Sequence, residues 1–219
     1  MNQTQPASAF AHRDTPRIFC IGRNYADHVQ ELGNKMAGDN AIVFMKPASA
    51  LISPEESLTL PQGQGSVHYE AELVVEIGAA GSNITTSDAR SHIAALGLGL
   101  DLTLRDLQHK LKAGGEPWER AKSFDSSAPL GQMTPLGDDM DLNNIEFELS
   151  IDGKIRQRGN TSHLIVGVAE LLAMLSRDWT LAAGDLIYTG TPAGVGPLAS
   201  GMHLTLSGPR LASTRWWVT

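Results

Sequence analysis

The chain has 219 residues, 42% hydrophobic and 19% charged, the composition of a soluble domain with a sizeable core. Its formal net charge of −7 argues against a nucleic-acid partner, which needs a basic surface to displace counterions from phosphates. No apolar run approaches the ~18 residues that span a bilayer, residues 1–16 are polar, and the single cysteine, Cys20, excludes an internal disulfide. The expectation is a cytoplasmic protein with no membrane partner.

Residues 1–16 read as an N-terminal extension and 17–219 as one catalytic domain, since no repeat, low-complexity segment or linker interrupts them. Two tightly joined parts are the alternative. Frequent glycine and short apolar runs between turn signals predict many short strands rather than a helical bundle. Strands are expected at 17–21, 42–45, 66–77, 97–102, 145–151, 185–189 and 203–207. Cys20, between Phe19 and Ile21, is then a buried strand thiol rather than a nucleophile. Asp152-Gly153, with alternation resuming over 154–158, marks a hairpin. Helices are expected at 87–96 and at 103–112, where Thr103 and Asp106 resemble a capping box. A further helix is capped by Ser162 and carries Leu164, Ile165, Val168, Leu171, Leu172 and Leu175 at helical spacing. The fold class is α+β, mostly β.

Glu70 and Glu72 stand two apart in a predicted strand, so their carboxylates project from one face. A solvated strand face is the alternative, but the pair runs straight into Leu73-Val74-Val75. Asp101 ends the apolar run Gly97-Leu98-Gly99-Leu100, where a carboxylate is costly unless paired or coordinated. A capping role or an ion pair to Arg105 would also explain it. Three carboxylates without His or Cys suit a hard cation, Mg²⁺ or Mn²⁺. Arg105 and Gln108 share a face if 103–112 is helical, and Lys122 lies between Ala121 and Phe124 near Trp118.

His28 and Glu31, three apart after the first strand, would face the same way on a helical turn, as in a general-base dyad. An exposed turn is the alternative, and Asp27 is a rival partner. Lys46 ends the second strand beside Pro47 and reads equally as a substrate-facing charge or a solvated strand end. The run from Gly190 to Pro197 is a glycine-rich loop in which Thr191 and backbone N–H groups could bind an anion. It lacks the endings of a P-loop or a dinucleotide fingerprint.

Together these segments resemble the fumarylacetoacetate hydrolase family, in particular its short acylpyruvase and oxaloacetate decarboxylase members. The resemblance rests on Gly-Arg-Asn-Tyr-Ala-Asp-His at 22–28, Phe-Met-Lys-Pro at 44–47 and His-Tyr-Glu-Ala-Glu-Leu at 68–73. It continues through Leu-Asp-Leu-Thr-Leu-Arg-Asp-Leu-Gln at 100–108, Pro-Trp-Glu-Arg-Ala-Lys-Ser-Phe-Asp at 117–125 and Gly-Thr-Pro-Ala-Gly-Val-Gly-Pro at 190–197. It implies a mixed β-sandwich roll with peripheral helices, a homodimer, and Mg²⁺ (Mn²⁺ as the alternative) on Glu70, Glu72 and Asp101. It implies oxyanion stabilisation by Arg105, Gln108 and Lys122 and a lid-borne base dyad of His28 and Glu31. Arg23, Tyr25, Lys46 and Thr191 would contact the substrate, a small 2-keto acid. The implied reaction is hydrolysis of an acylpyruvate to pyruvate and a carboxylic acid, with oxaloacetate decarboxylation as a second use. A decarboxylase or isomerase of 2-oxo-diene diacids is the rival enzyme, and a non-catalytic Ca²⁺-binding β module the rival of another class.

Overall fold

The apolar run Ile18–Gly22 forms strand β1, whose first four residues are buried without alternation, as in a strand covered on both faces. It opens a computed structural model that describes residues 16–31, 41–54 and 56–219. The expected extension over 1–16 therefore lies, apart from Pro16, outside the described residues. After β1 come helix α1 (Ala26–Glu31), β2 (Ile42–Lys46) and the short β3 (Leu51–Ile52). Strands β4 (Val67–Tyr69), β5 (Ala71–Ile77), β6 (Ile93–Leu100) and β7 (Thr103–Leu104) lead into helices α2 (Arg105–Gly114) and α3 (Glu119–Lys122). Next are β8 (Ala128–Pro129), β9 (Thr134–Pro135), β10 (Glu146–Ile151), β11 (Lys154–Asn160) and α4 (Val168–Asp178). The chain closes with β12 (Leu186–Tyr188), β13 (Gly196–Pro197), β14 (His203–Gly208) and β15 (Leu211–Trp217).

Six strands build the central sheet in the order β2-β1-β12-β5-β6-β9. Only β1 and β12 run parallel; the other neighbours are antiparallel. A second, antiparallel sheet has the order β11-β10-β14-β15. Strands β13-β4-β7 form a small sheet, and β3 pairs with β8. Leu73, Leu98, Leu149, Leu204, Trp216 and Leu171 belong to one apolar cluster, so both large sheets and α4 share a core. Burial of each such side chain contributes about 1.5–3 kcal/mol, which is what holds the layers together. The mostly β, mixed-sheet α+β class expected from the sequence is the observed one. The β10–β11 hairpin is also as expected: Asp152 and Gly153 both take positive φ, 50° and 75°, which matches a two-residue turn to the twist of its strands.

Four local expectations are corrected. The strand at 66–77 breaks at Glu70, because β4 pairs with β7 and β13 whereas β5 joins the central sheet. Residues 87–96 are not helical beyond a 3-10 turn at Ala89–His92, since β6 starts at Ile93 to continue its ladder with β5. The helix expected from Ser162 begins only at Val168. Its first turn is lost because Ile165 N donates to Asn24 O (2.8 Å) and Val166 N to Asn24 Oδ1 (2.8 Å), holding the chain extended. Thr103 and Asp106 form no capping box: Thr103 Oγ1 donates to Asp101 O and Asp106 Oδ2 accepts from Ser66 N. Strand β15 has no counterpart in the sequence reading.

Candidate metal centre and active site

The break between β4 and β5 is what builds the site. Glu70 sits in the break, Glu72 on β5, and Asp101 just beyond the end of β6, its neighbour in the sheet. Asp101 N donates to Glu70 O at 2.8 Å, which fastens the two strand ends together. One ligand oxygen from each of the three carboxylates lies within 4.8 Å of the others, and all three side chains are buried. They line a narrow cleft together with Arg23, His28, Phe44, Arg105, Gln108, Lys112, Trp118, Lys122 and Thr191. Larger grooves of about 600 and 810 Å³ lie elsewhere, but neither brings such a set of ionisable groups together.

Three cations approach two of the carboxylates. Lys122 Nζ lies 2.7 Å from Glu70 Oε2 and 2.6 Å from Asp101 Oδ2, and Arg105 Nη2 pairs with Glu70 Oε1. Lys46 Nζ is 2.8 Å from Asp101 Oδ1. Burial opposes ionisation of Glu70, but Lys122 and Arg105 outweigh it and hold the carboxyl well below the usual range. For Lys122, burial opposes the charge, and Asp101 and Glu70 nevertheless push it up to about 12.

Glu72 is different. Its Oε2 accepts from Gly190 N at 2.8 Å, and it forms no ion pair among the described residues. Burial, then the charges of Asp101 and Glu70, push its carboxyl well above the usual range. A buried carboxylate without a cation is costly, so this donor set fits a hard divalent ion held by Glu70, Glu72 and Asp101. Gly190, at φ 106°, is where the chain comes closest: a Cβ there would lie 2.8 Å from Asn24 Cβ, and the Gly190 N–H could no longer reach Glu72 undisturbed.

His28 and Glu31 meet on α1, with Nδ1 3.4 Å from Glu31 Oε2. Glu31 is itself held by Gly194 N, 3.1 Å from both carboxylate oxygens. Burial lowers the His28 pKa, partly opposed by Glu70 and Glu31, so the ring is neutral at physiological pH. The expected rival Asp27 is not in this contact.

Of the residues expected at the site, Arg23, His28, Glu70, Glu72, Asp101, Arg105, Gln108, Lys122 and Thr191 converge on the cleft. Arg105 Nη1 donates to Gln108 Oε1 at 2.6 Å, so these two act as a unit. Lys46 and Tyr25 are not among the residues that line it. Lys46 is fully buried behind Asp101, donating to Leu102 O (3.3 Å), Lys122 O and Ser127 Oγ (3.1 Å). Tyr25 is buried in a bridge to Leu164, and burial, then the charge of Glu72, raises its pKa. Cys20 is a buried thiol of β1, as expected.

Gln157 was not foreseen. From β11 its Oε1 accepts from Ala71 N (2.9 Å), and its Nε2 donates to Thr191 Oγ1 (2.8 Å) and Pro192 O (2.9 Å). It thus ties the second sheet to β5 and to the Gly190 loop. Lys-Ile-Arg-Gln-Arg reads as a solvated strand, and nothing in that pattern marks its one buried glutamine.

Several known proteins are similar to the chain. The family model described as fumarylacetoacetate (FAA) hydrolase C-terminal matches residues 17–217. Oxaloacetate tautomerase YcgM of Escherichia coli is 44% identical over 192 residues, 87% of either chain. A mitochondrial oxaloacetate decarboxylase of Dictyostelium discoideum is 39% identical over 185 residues, 84% of this chain and 85% of that one. The crystal structure of fumarylpyruvate hydrolase from Pseudomonas aeruginosa, in complex with Mn²⁺ and pyruvate, matches with a TM-score of 0.88 and 37% identity. That match covers 94% of this chain and 90% of the other.

Proposed function

The chain belongs to the fumarylacetoacetate hydrolase family, and on that premise we propose that it is a Mg²⁺-dependent hydrolase of acylpyruvates. It would cleave a 2,4-dioxo acid between C3 and C4 to give pyruvate and a carboxylic acid. One observation carries the reading: His28, in contact with Glu31, lines the same cleft as the buried carboxylate trio. A non-catalytic Ca²⁺ site would have no use for that base.

Glu70, Glu72 and Asp101 would hold the ion, which supplies the Lewis-acid charge that favours a developing enolate. Lys46, Arg105 and Lys122 equal the three carboxylates in number of charges, though they contact only Glu70 and Asp101. A dication added to that balance leaves the cleft positive, which suits an anionic 2-oxo acid. With Nδ1 committed to Glu31, Nε2 of His28 is the nitrogen that takes a proton from water as it attacks the C4 carbonyl. Arg105 and Gln108, tied to each other, are the donors proposed for the tetrahedral oxyanion at C4. Lys122, lying between Glu70 and Asp101, sets their spacing.

A second reading, enol–keto conversion or decarboxylation of oxaloacetate, is favoured by the names of two relatives. It would use the same enolate-favouring centre, and its tautomerase form needs His28 only to move the C3 proton. The Dictyostelium relative is named as mitochondrial; the cytoplasm is proposed for this chain, in which no described helix is long and apolar enough to cross a membrane.

A substrate panel of acetylpyruvate, fumarylpyruvate and oxaloacetate, run with Mg²⁺ and with chelator, separates the readings. Acylpyruvate cleavage that disappears with chelator is the expected result, and turnover of oxaloacetate alone would replace the first reading by the second. His28→Ala should lower acylpyruvate hydrolysis by about 10²–10⁴-fold, the usual contribution of a general base, and should spare decarboxylation. Because the His28 pKa is lowered, kcat/KM should hold as pH falls through the ordinary histidine range and drop only below it.

A further inference from the structure

Strand β11 is irregular just before Gln157. Leu149 pairs with Gln157 but Ser150 with Ile155, so Arg156 is an extra residue, a bulge in the edge strand of the second sheet. Strand alternation would put Ile155 and Gln157 on one face, and the bulge separates them. Ile155 is 43% exposed, whereas Gln157 is buried. An isoleucine turned out and a glutamine turned in is the reverse of what burial favours, so something local must offset it.

The compensation lies at the metal centre. Ala71, between Glu70 and Glu72, donates its N–H to Gln157 Oε1 (2.9 Å). Gln157 Nε2 donates to Thr191 Oγ1 (2.8 Å), and Thr191 Oγ1 donates to Ala71 O (2.9 Å). Three bonds thus close a ring that holds both backbone polar groups of Ala71. The other amide hydrogen of Gln157 goes to Pro192 O at 2.9 Å. A flipped amide would set donor against donor at Ala71 and acceptor against acceptor at Pro192, so the network fixes its orientation.

The same contacts seat the loop after β12. Its Gly190 N–H holds Glu72, and its Gly194 N–H holds Glu31, the partner of His28. Thr191 and Pro192, which Gln157 grips, lie between those two donors. The bulged Arg156 presents its carbonyl to Gly194: a Cβ there would lie 2.3 Å from Arg156 O, and φ is 98°. The bulge therefore supports the loop at two points. Any buried glutamine needs partners, but that need alone does not place them on the peptide between two carboxylates of the trio and on the loop that reaches the base.

We propose that Gln157 is a positioning residue for both halves of the site. It fixes Glu70 and Glu72 through Ala71, and it sets the loop whose N–H groups hold Glu72 and Glu31. This rests on the metal and base roles proposed for those residues.

Gln157→Met keeps the length and bulk of the side chain and removes these bonds. In calorimetry it should weaken Mg²⁺ binding by about 10–100-fold, the usual loss when a group supporting a metal ligand is removed. Glu70 and Glu31 support the proton on His28 against burial and Arg105. Loosening either glutamate should therefore move the His28 titration, followed by NMR on the chelated protein, to lower pH, the direction in which Glu31→Gln moves it. A glutamine that serves only the fold would lower the unfolding temperature and leave both readings of the folded protein unchanged. That result overturns the proposal, and so does a change in only one reading. Should Gln157→Met not fold, Thr191→Val opens the ring and should show both changes to a smaller extent; unchanged values there overturn the proposal equally. Neither measurement needs substrate, so failure to cleave acylpyruvates overturns the proposed reaction without altering either value. Native protein that binds no Mg²⁺ overturns the metal reading and this inference with it, whereas native binding that Gln157→Met leaves intact overturns this inference alone.

Discussion

The two walls of the carboxylate trio face opposite electrostatic conditions. On one wall Glu70 and Asp101 are in contact with Lys46, Arg105 and Lys122, and Glu70 is held far toward ionisation. On the other, Glu72 has the Gly190 N–H and no ion pair among the described residues, and its carboxyl is driven toward the neutral form. Two glutamates two residues apart are therefore displaced in opposite directions. Burial disfavours ionisation of both, so the neighbours decide the sign. A divalent ion is needed on the Glu72 wall far more than on the cationic one.

That contrast can be broken in graded ways. The largest effect is on the metal: Glu72→Gln and Asp101→Asn should each abolish Mg²⁺ binding by calorimetry together with turnover, and retained full activity in either would end the metal assignment. Next, Lys46→Met leaves the buried Asp101 with one cation fewer and should destabilise the fold by about 3–5 kcal/mol in urea unfolding, as for other broken buried pairs. A loss below about 1 kcal/mol would show that Lys46 is dispensable to the cationic wall.

The two glutamates should also differ in stability when metal is chelated. Glu70 has a depressed pKa in the folded state, so its contribution is present above the ordinary value of about 4.3 and is lost as pH falls toward the folded value. Glu72 has a raised one, so its contribution is full below about 4.3 and is lost as pH rises toward the folded value. At pH 7.5 without metal, Glu70→Gln should therefore destabilise, while Glu72→Gln should stabilise, because it removes a buried charge that no ion pair offsets among the described residues. Thermal unfolding of the two variants with opposite shifts is the expected result; shifts of the same sign would remove the contrast.

The smallest effect belongs to the neutral wall. Gln157→Leu removes the partner of Ala71 N and one partner of Thr191 Oγ1, for an expected loss of about 1–3 kcal/mol. If its role is to hold the Gly190 loop, the same variant should weaken Mg²⁺ binding through Glu72, whereas undiminished affinity would confine Gln157 to the fold.

The expected site residues differ in how far the chain alone revealed them. Glu70 and Glu72 were legible because strand periodicity and the adjoining apolar run are local properties, and so were the Asp152-Gly153 hairpin and the pairing of His28 with Glu31 along one helical turn. The 3-10 turn at Ala89–His92 and the late start of α4 were not. There, distant partners, β5 and the Asn24 side chain, overrode local spacing. Lys46 was ambiguous between a substrate-facing charge and a solvated strand end, and the structure excludes only the second, since Lys46 is buried against Asp101 and a lysine's environment is set by what packs over it.

The sequence by itself determined the mostly β class, the family and the chemical types of the site, because these depend on periodicity, composition and motifs within a few residues of one another. Only the tertiary structure decided that Glu70 and Asp101 meet cations while Glu72 meets a backbone N–H, and that Lys46 is buried against Asp101. Those facts rest on strands far apart in the chain becoming neighbours, and the energy of a buried charge depends on the nearest opposite charge in space, wherever along the chain it is encoded.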